Sequence, residues 1–171
     1  MADTEVVIEP GRQDIVVTRV FDAPRDVVFA AYTDPDLVPR WWGSGRFTTE
    51  VDRMDVRPGG AWRFVARKAD GTGYGFRGVY HDVVAPERIV STYEFEEGGP
   101  GRLQLQVDTL TEVDGKTELV VVSLFQSVED RDGWIPAAGI EKSVQESMDL
   151  LEEIIRERPR PGATDRSGRS A

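Results

Sequence analysis

A chain of 171 residues with a formal charge of −10, no cysteine and one histidine has a narrow chemical repertoire. The charge argues against a nucleic-acid binder, which concentrates Lys and Arg; the lack of Cys excludes disulfides, thiolate metal sites and a thiol nucleophile, and a lone His leaves little to hold zinc, so neither metal nor cofactor is expected. The length suits one domain, and with no run of about eighteen apolar residues and no charged-then-apolar leader, a soluble cytoplasmic protein without a membrane span is expected.

Residues 1–13 are mostly polar, include Pro10-Gly11, and are expected to form a flexible lead. Asp14 to Phe21 is rich in β-branched residues and reads as a strand. Asp22-Ala23-Pro24 turns the chain into a short amphipathic helix carrying Val27, Val28, Ala31 and Tyr32. Thr33-Asp34-Pro35-Asp36 starts a second short helix that reaches Trp41-Trp42.

From Arg46 onward the pattern has period two, and strands are expected to follow one another through Gln126. Turns are marked by Arg57-Pro58-Gly59-Gly60, Ala69-Asp70-Gly71-Thr72 and Asp114-Gly115, and the Gly98–Gly101 stretch reads as a flexible loop. Trp62, Phe64 and Ala66 share one face of their strand, as do Tyr74, Phe76, Gly78 and Tyr80, and then Ile89, Ser91, Tyr93 and Phe95. Leu103, Leu105, Val107 and Thr109 are grouped in the same way, and the last strand offers Leu119, Val121, Ser123 and Phe125. These rows are expected to face inward.

Asp132 to Arg158 reads as one long helix, with Asp132 as cap and Pro136 near its start. Ile140, Val144, Met148, Leu151 and Ile155 form its apolar stripe, and Asp149, Glu152, Glu153 and Arg156 fall on the expected solvent side. Pro159 ends it, and residues 159–171 are expected to be a disordered tail. The order predicts an α+β fold over residues 14–158: a curved antiparallel sheet of about six to seven strands gripping a long C-terminal helix, with two short helices after the first strand.

Several local phrases then acquire a common reading. They are Thr18-Arg19-Val20-Phe21-Asp22-Ala23-Pro24 with Val28-Phe29, Asp34-Pro35 followed by Trp41-Trp42, and Arg57-Pro58-Gly59-Gly60-Ala61-Trp62. Further on come Gly78-Val79-Tyr80, Pro86-Glu87-Arg88-Ile89-Val90 and Asp132-Gly133-Trp134. Together, over about residues 14–157, they resemble the activator of Hsp90 ATPase homologue-like branch of the START-like, or SRPBCC, helix-grip superfamily. The resemblance implies an inner cavity and a superfamily whose members bind lipids, sterols, plant hormones or polyketides, some acting as cyclases or aromatases. The family name also implies a chaperone partner, but the co-chaperone carries a further amino-terminal domain for which this chain has no room.

The candidate cavity lining is Trp41, Trp42, Trp62, Phe64, Tyr74, Phe76, Tyr93, Phe95, Leu105 and Trp134, with Ser123, Ser143 and Ser147 as hydrogen-bonding groups at the helix–sheet seam. Each aromatic also suits simple core packing. His81 falls by parity on the outer face, without the partners of a triad. Asp52, Asp55, Glu94, Glu96 and Glu97 could pair as carboxylates but suit exposed strand and turn positions. The expected function is binding of a small hydrophobic molecule (a lipid, polyketide or aromatic) between sheet and C-terminal helix. A cyclase- or aromatase-type enzyme and a chaperone partner are the alternatives, and homodimerisation is compatible with all three.

Overall fold

The computed structural model describes residues 3–99, 103–135 and 139–158. Its sheet strands are β1 (Glu5–Val7), β2 (Asp14–Phe21), β3 (Thr48–Met54), β4 (Ala61–Arg67), β5 (Gly73–Val84), β6 (Arg88–Phe95), β7 (Leu103–Val113) and β8 (Lys116–Phe125). Among the described residues four α-helices accompany them: α1 (Arg25–Thr33), α2 (Val38–Trp41), α3 (Val128–Trp134) and α4 (Glu141–Glu157). The strands form one antiparallel sheet in the order β1-β2-β8-β7-β6-β5-β4-β3. β3 through β8 is a hairpin meander, and β2 closes onto β8 along its full length, from Asp14 opposite Leu124 to Phe21 opposite Thr117.

The expected α+β architecture is present, with eight strands rather than six or seven. The extra strand comes from the lead. Val6 and Val7 are β-branched and pair with Val17 and Val16 of β2. Farther along, Glu9 presents its carbonyl to Arg131, whose side chain is 3% exposed. A buried guanidinium needs such acceptors, which ties the lead to α3.

The expected single rod is two helices. Ser127, not Asp132, caps α3 by accepting from the Asp130 amide at 3.0 Å. Ile135 then leaves the helix with φ −75° and ψ 118°. It precedes Pro136, whose ring disfavours a helical residue before it. Gly139, with φ 79°, leads into α4. The start expected at Pro136, the Pro100-Gly101 part of the glycine loop and the expected tail lie outside the described residues.

One face of the sheet carries Ile15, Val17, Phe21, Leu119, Val121 and Phe125, and α4 brings Met148, Leu151, Ile154 and Ile155 to the same core. The helix also buries a charge. Glu152, expected in solvent, is 5% exposed and accepts from the Arg19 guanidinium, which is itself 1% exposed. Arg19 donates further to Asp149 at 3.0 Å and to the Thr4 hydroxyl at 2.8 Å. Arg156 also donates to Glu152. A buried arginine on the inner face of β2 thus draws one polar stripe of α4 down to the sheet.

Candidate functional site

Where the sheet passes under α1 and α2, the core is incompletely filled. A cavity of about 80 Å³ lies between Tyr32, Trp41 and Trp42 on one side and inner-face residues of β3 to β7 on the other. The walls follow from local chain chemistry. Tyr32 lies in the last turn of α1 and stacks on Trp41 of α2, with ring centroids 5.1 Å apart. The chain then reverses through Gly43, Ser44 and Gly45, all at positive φ. Glycine meets that conformation without a side-chain clash, which lets the tryptophan pair turn directly into the approach to β3. Thr49 of β3 donates to the Trp42 carbonyl at 2.8 Å and fixes the reversal.

The opposite wall is aromatic. Trp62 and Phe64 of β4 lie 4.9 Å apart, and Tyr93 of β6 is 5.3 Å from Trp62. Trp62 donates its indole N–H to the Thr92 carbonyl at 3.2 Å across Gly78. A Cβ at Gly78 would stand 1.8 Å from that carbonyl oxygen, so the cross-strand contact requires glycine.

The floor is polar. β7 pairs with β8 so that Gln104 lies opposite Phe125, Gln106 opposite Ser123 and Asp108 opposite Val121. Opposed residues share a face, so Gln104, Gln106 and Asp108 point inward. Asp108 is 2% exposed. Gln106 donates to both of its carboxyl oxygens, at 3.0 and 3.1 Å, and the Tyr32 hydroxyl is a second hydrogen-bonding neighbour. Burial pushes the Asp108 carboxyl up to about 7, opposed by these two hydrogen bonds. Burial likewise raises the Tyr32, Tyr80 and Tyr93 hydroxyls, and the Asp108 charge adds to the shift at Tyr32 and Tyr80. The indole N–H of Trp41 is buried with no hydrogen-bond partner among the described residues.

Of the residues proposed from sequence, Trp41, Trp42, Trp62, Phe64 and Tyr93 line this space. Phe76, Phe95 and Trp134 continue the same aromatic cluster beyond it: Phe76 and Phe95 stack at 5.0 Å, and Trp134 stands edge-on to Tyr93 at 5.7 Å. Tyr74 sits at the cluster's far end beside Phe47, under the Lys68 ammonium. Ser123 faces inward opposite Gln106 but is not in the lining, and Ser143 is half-buried on α4. Ser147 accepts the Ser44 amide at 3.0 Å and so holds the segment after the tryptophan pair.

Leu105 requires correction. It is 39% exposed on the outer face, opposite Leu124 at 45%. Leu103 and Leu105 of β7 face outward, and the inward row runs Gln104, Gln106, Asp108 and Leu110. His81 is exposed, as expected. The outer carboxylates serve arginines: Glu96 takes a two-pronged pair from Arg63 at 2.8 Å, which holds it below the usual carboxylate range. Glu94 pairs with Arg77, Asp55 with Arg57, and Glu97 accepts the Gly75 amide. Among the described residues no group of three or more His, Cys, Asp or Glu could hold a metal ion, and no helix is long and apolar enough to cross a membrane.

The sheet, its gripping helices and the buried space beneath the short helices define a helix-grip protein. The chain belongs to the family described as Activator of Hsp90 ATPase homolog 1-like protein, which matches residues 22–156. Among solved structures, protein CV1439 from Chromobacterium violaceum is 27% identical, with a TM-score of 0.75 and coverage of 85% of this chain and 99% of that one. A Rhodobacter sphaeroides protein is 25% identical, with a TM-score of 0.78 and coverage of 89% and 98%. Protein Ms6760 from Mycobacterium smegmatis shares the fold at 21% identity, with a TM-score of 0.80 and coverage of 93% and 99%. No curated protein is a significant match.

Proposed function

We propose that the protein is a receptor for a small, mostly apolar molecule held in the cavity beneath α1 and α2. The observation that carries this reading is a buried carboxyl, Asp108, kept at the floor of an aromatic-walled space. Filling the space with an apolar side chain would cost less than burying a carboxyl, and a packed interior ordinarily leaves few voids. Membership of a family with this fold adds support, since hydrophobic ligands are typical of it. The cavity sits nearer the short helices than the seam with α4, and about 80 Å³ matches an aromatic fragment better than a lipid chain or a polyketide.

Thermal unfolding against a panel of small aromatic molecules tests the reading. A ligand that binds the folded state raises the melting temperature in proportion to its occupancy. The expected result is a saturable rise for small aromatics and none for long-chain lipids. A flat response across the panel, with native mass spectrometry of freshly purified protein showing the bare mass, would count against it.

One observation favours a second reading, a cyclase- or aromatase-type enzyme. Asp108, pushed up to about 7 and beside the Tyr32 hydroxyl, is poised to give or take a proton near neutrality. In that case Asp108→Asn abolishes turnover in a variant that still folds and unfolds cooperatively. Unchanged turnover would remove the assignment.

A further inference from the structure

The cavity has a charge character that the receptor reading does not use. Its lining contains no Lys, Arg or His, and its one acidic group is Asp108. The donors to that carboxyl are the neutral amide of Gln106 and the neutral hydroxyl of Tyr32. No ion pair to Asp108 occurs among the described residues, although ion pairs are plentiful on the outer face. Around the same space stand Tyr32, Trp41, Trp42, Trp62, Tyr80 and Tyr93. The faces of such rings carry negative electrostatic potential. An anion would therefore meet a carboxyl and ring faces with no cation to receive it. A positive charge would be attracted by the carboxyl, which is 2% exposed, and by each ring face turned toward it.

We propose, building on the receptor reading, that the ligand is a small organic cation, a protonated amine whose ammonium group pairs with Asp108 and whose carbon atoms fill the aromatic walls. The volume of about 80 Å³ restricts the ligand to a small molecule. An ammonium would supply the opposite charge that the buried carboxyl lacks, which sets the pH behaviour. The groups facing Asp108 are Tyr32 from α1, Tyr80 from β5 and Gln106 on its own strand, Tyr93 of β6 lines the same space farther along, and the three tyrosines are held neutral by their raised ionisation. Asp108 is thus the group that titrates near neutrality. Below its own range the carboxyl must lose a proton to bind the cation, so affinity falls about tenfold per pH unit there and levels off above it.

Isothermal titration calorimetry with cyclohexylammonium, cyclohexanol and cyclohexanecarboxylate, from about pH 5.5 to about pH 8.5, tests this. The amine stays protonated throughout, and the three share one carbon frame. The expected result is amine binding that tightens about tenfold per unit below about pH 7 and is at least tenfold tighter than the alcohol at about pH 8, with no binding of the carboxylate. Asp108→Asn is expected to bind amine and alcohol alike. If that variant fails to fold, the wild-type pH profile decides. Alcohol binding equal to or tighter than amine binding would overturn the cation and leave the receptor reading standing. Silence from all three, together with a flat aromatic panel, would overturn both.

Discussion

Asp108 concentrates the chemistry of this protein in one residue. An aspartate that titrates at about 7 when folded and about 3.9 when unfolded holds its proton more tightly in the native state. Its contribution to stability is therefore fully present below about pH 4 and is lost as pH rises toward 7. The loss is on the order of 4 kcal/mol at 1.36 kcal/mol per unit. Asp108→Asn keeps the shape and removes the charge, so the variant is expected to be more stable than wild type at about pH 8 and close to it at about pH 4, by urea unfolding at both. Equal pH dependence in the two proteins would contradict a buried titrating carboxyl. Gly78 is the second informative residue. A methyl there meets the Thr92 carbonyl at 1.8 Å and the Trp62 indole nitrogen at 2.6 Å. Gly78→Ala is expected to cost about 2–3 kcal/mol in urea unfolding and to shift tryptophan emission as Trp62 loses its acceptor.

At the scale of elements, the sequence revealed much of the fold and misread one strand. The hairpin turns, the aromatic faces of β4, β5 and β6, and the apolar stripe of α4 follow directly from period two and period 3.6. β7 does not, because Leu103 and Leu105 lie on the exposed side while Gln104, Gln106 and Asp108 share the inner face with Leu110. Leu103 and Leu105 are about two-fifths exposed, while Gln104 and Asp108 are buried. The correcting signal was the turn. Asp114-Gly115 joins Val113 to Lys116, and counting back pairs Asp108 with Val121, which the β8 pattern already placed inward. The polar floor was thus legible through register and hidden from hydropathy. The helix break was legible as Pro136. The burial of Glu152 was not, because only the fold brings Arg19 against it. Removing one member of that cluster leaves an uncompensated buried charge. Arg19→Met is expected to cost about 3–5 kcal/mol, and the Arg19→Met, Glu152→Leu pair to recover most of it. A double variant as unstable as the sum of its singles would show that the two side chains act independently.

Across the whole molecule, α4 is clasped from both sides. β2 holds it through Arg19, and the segment around α2 holds it through Arg40 to Glu157, Arg46 to Glu146 and the Ser44 amide to Ser147. That second set fastens the stretch carrying Trp41 and Trp42, so the long helix supports the cavity roof without lining it. The two ion pairs are largely exposed and add little each, but the Ser44–Ser147 hydrogen bond is part-buried. Ser147→Ala is expected to cost about 1 kcal/mol and to weaken ligand binding several-fold by loosening the roof. An unchanged dissociation constant would separate the clasp from the site.

The most direct test of the receptor reading is to fill the cavity from within. Ser91 of β6 is 5% exposed and lines the space. Ser91→Leu places a branched apolar side chain where the ligand is proposed to sit. The variant is expected to fold and unfold cooperatively, and to lose the ligand-induced rise in melting temperature that wild type gives with a small amine or aromatic. A folded Ser91→Leu protein that binds the same ligand with wild-type affinity would contradict the account.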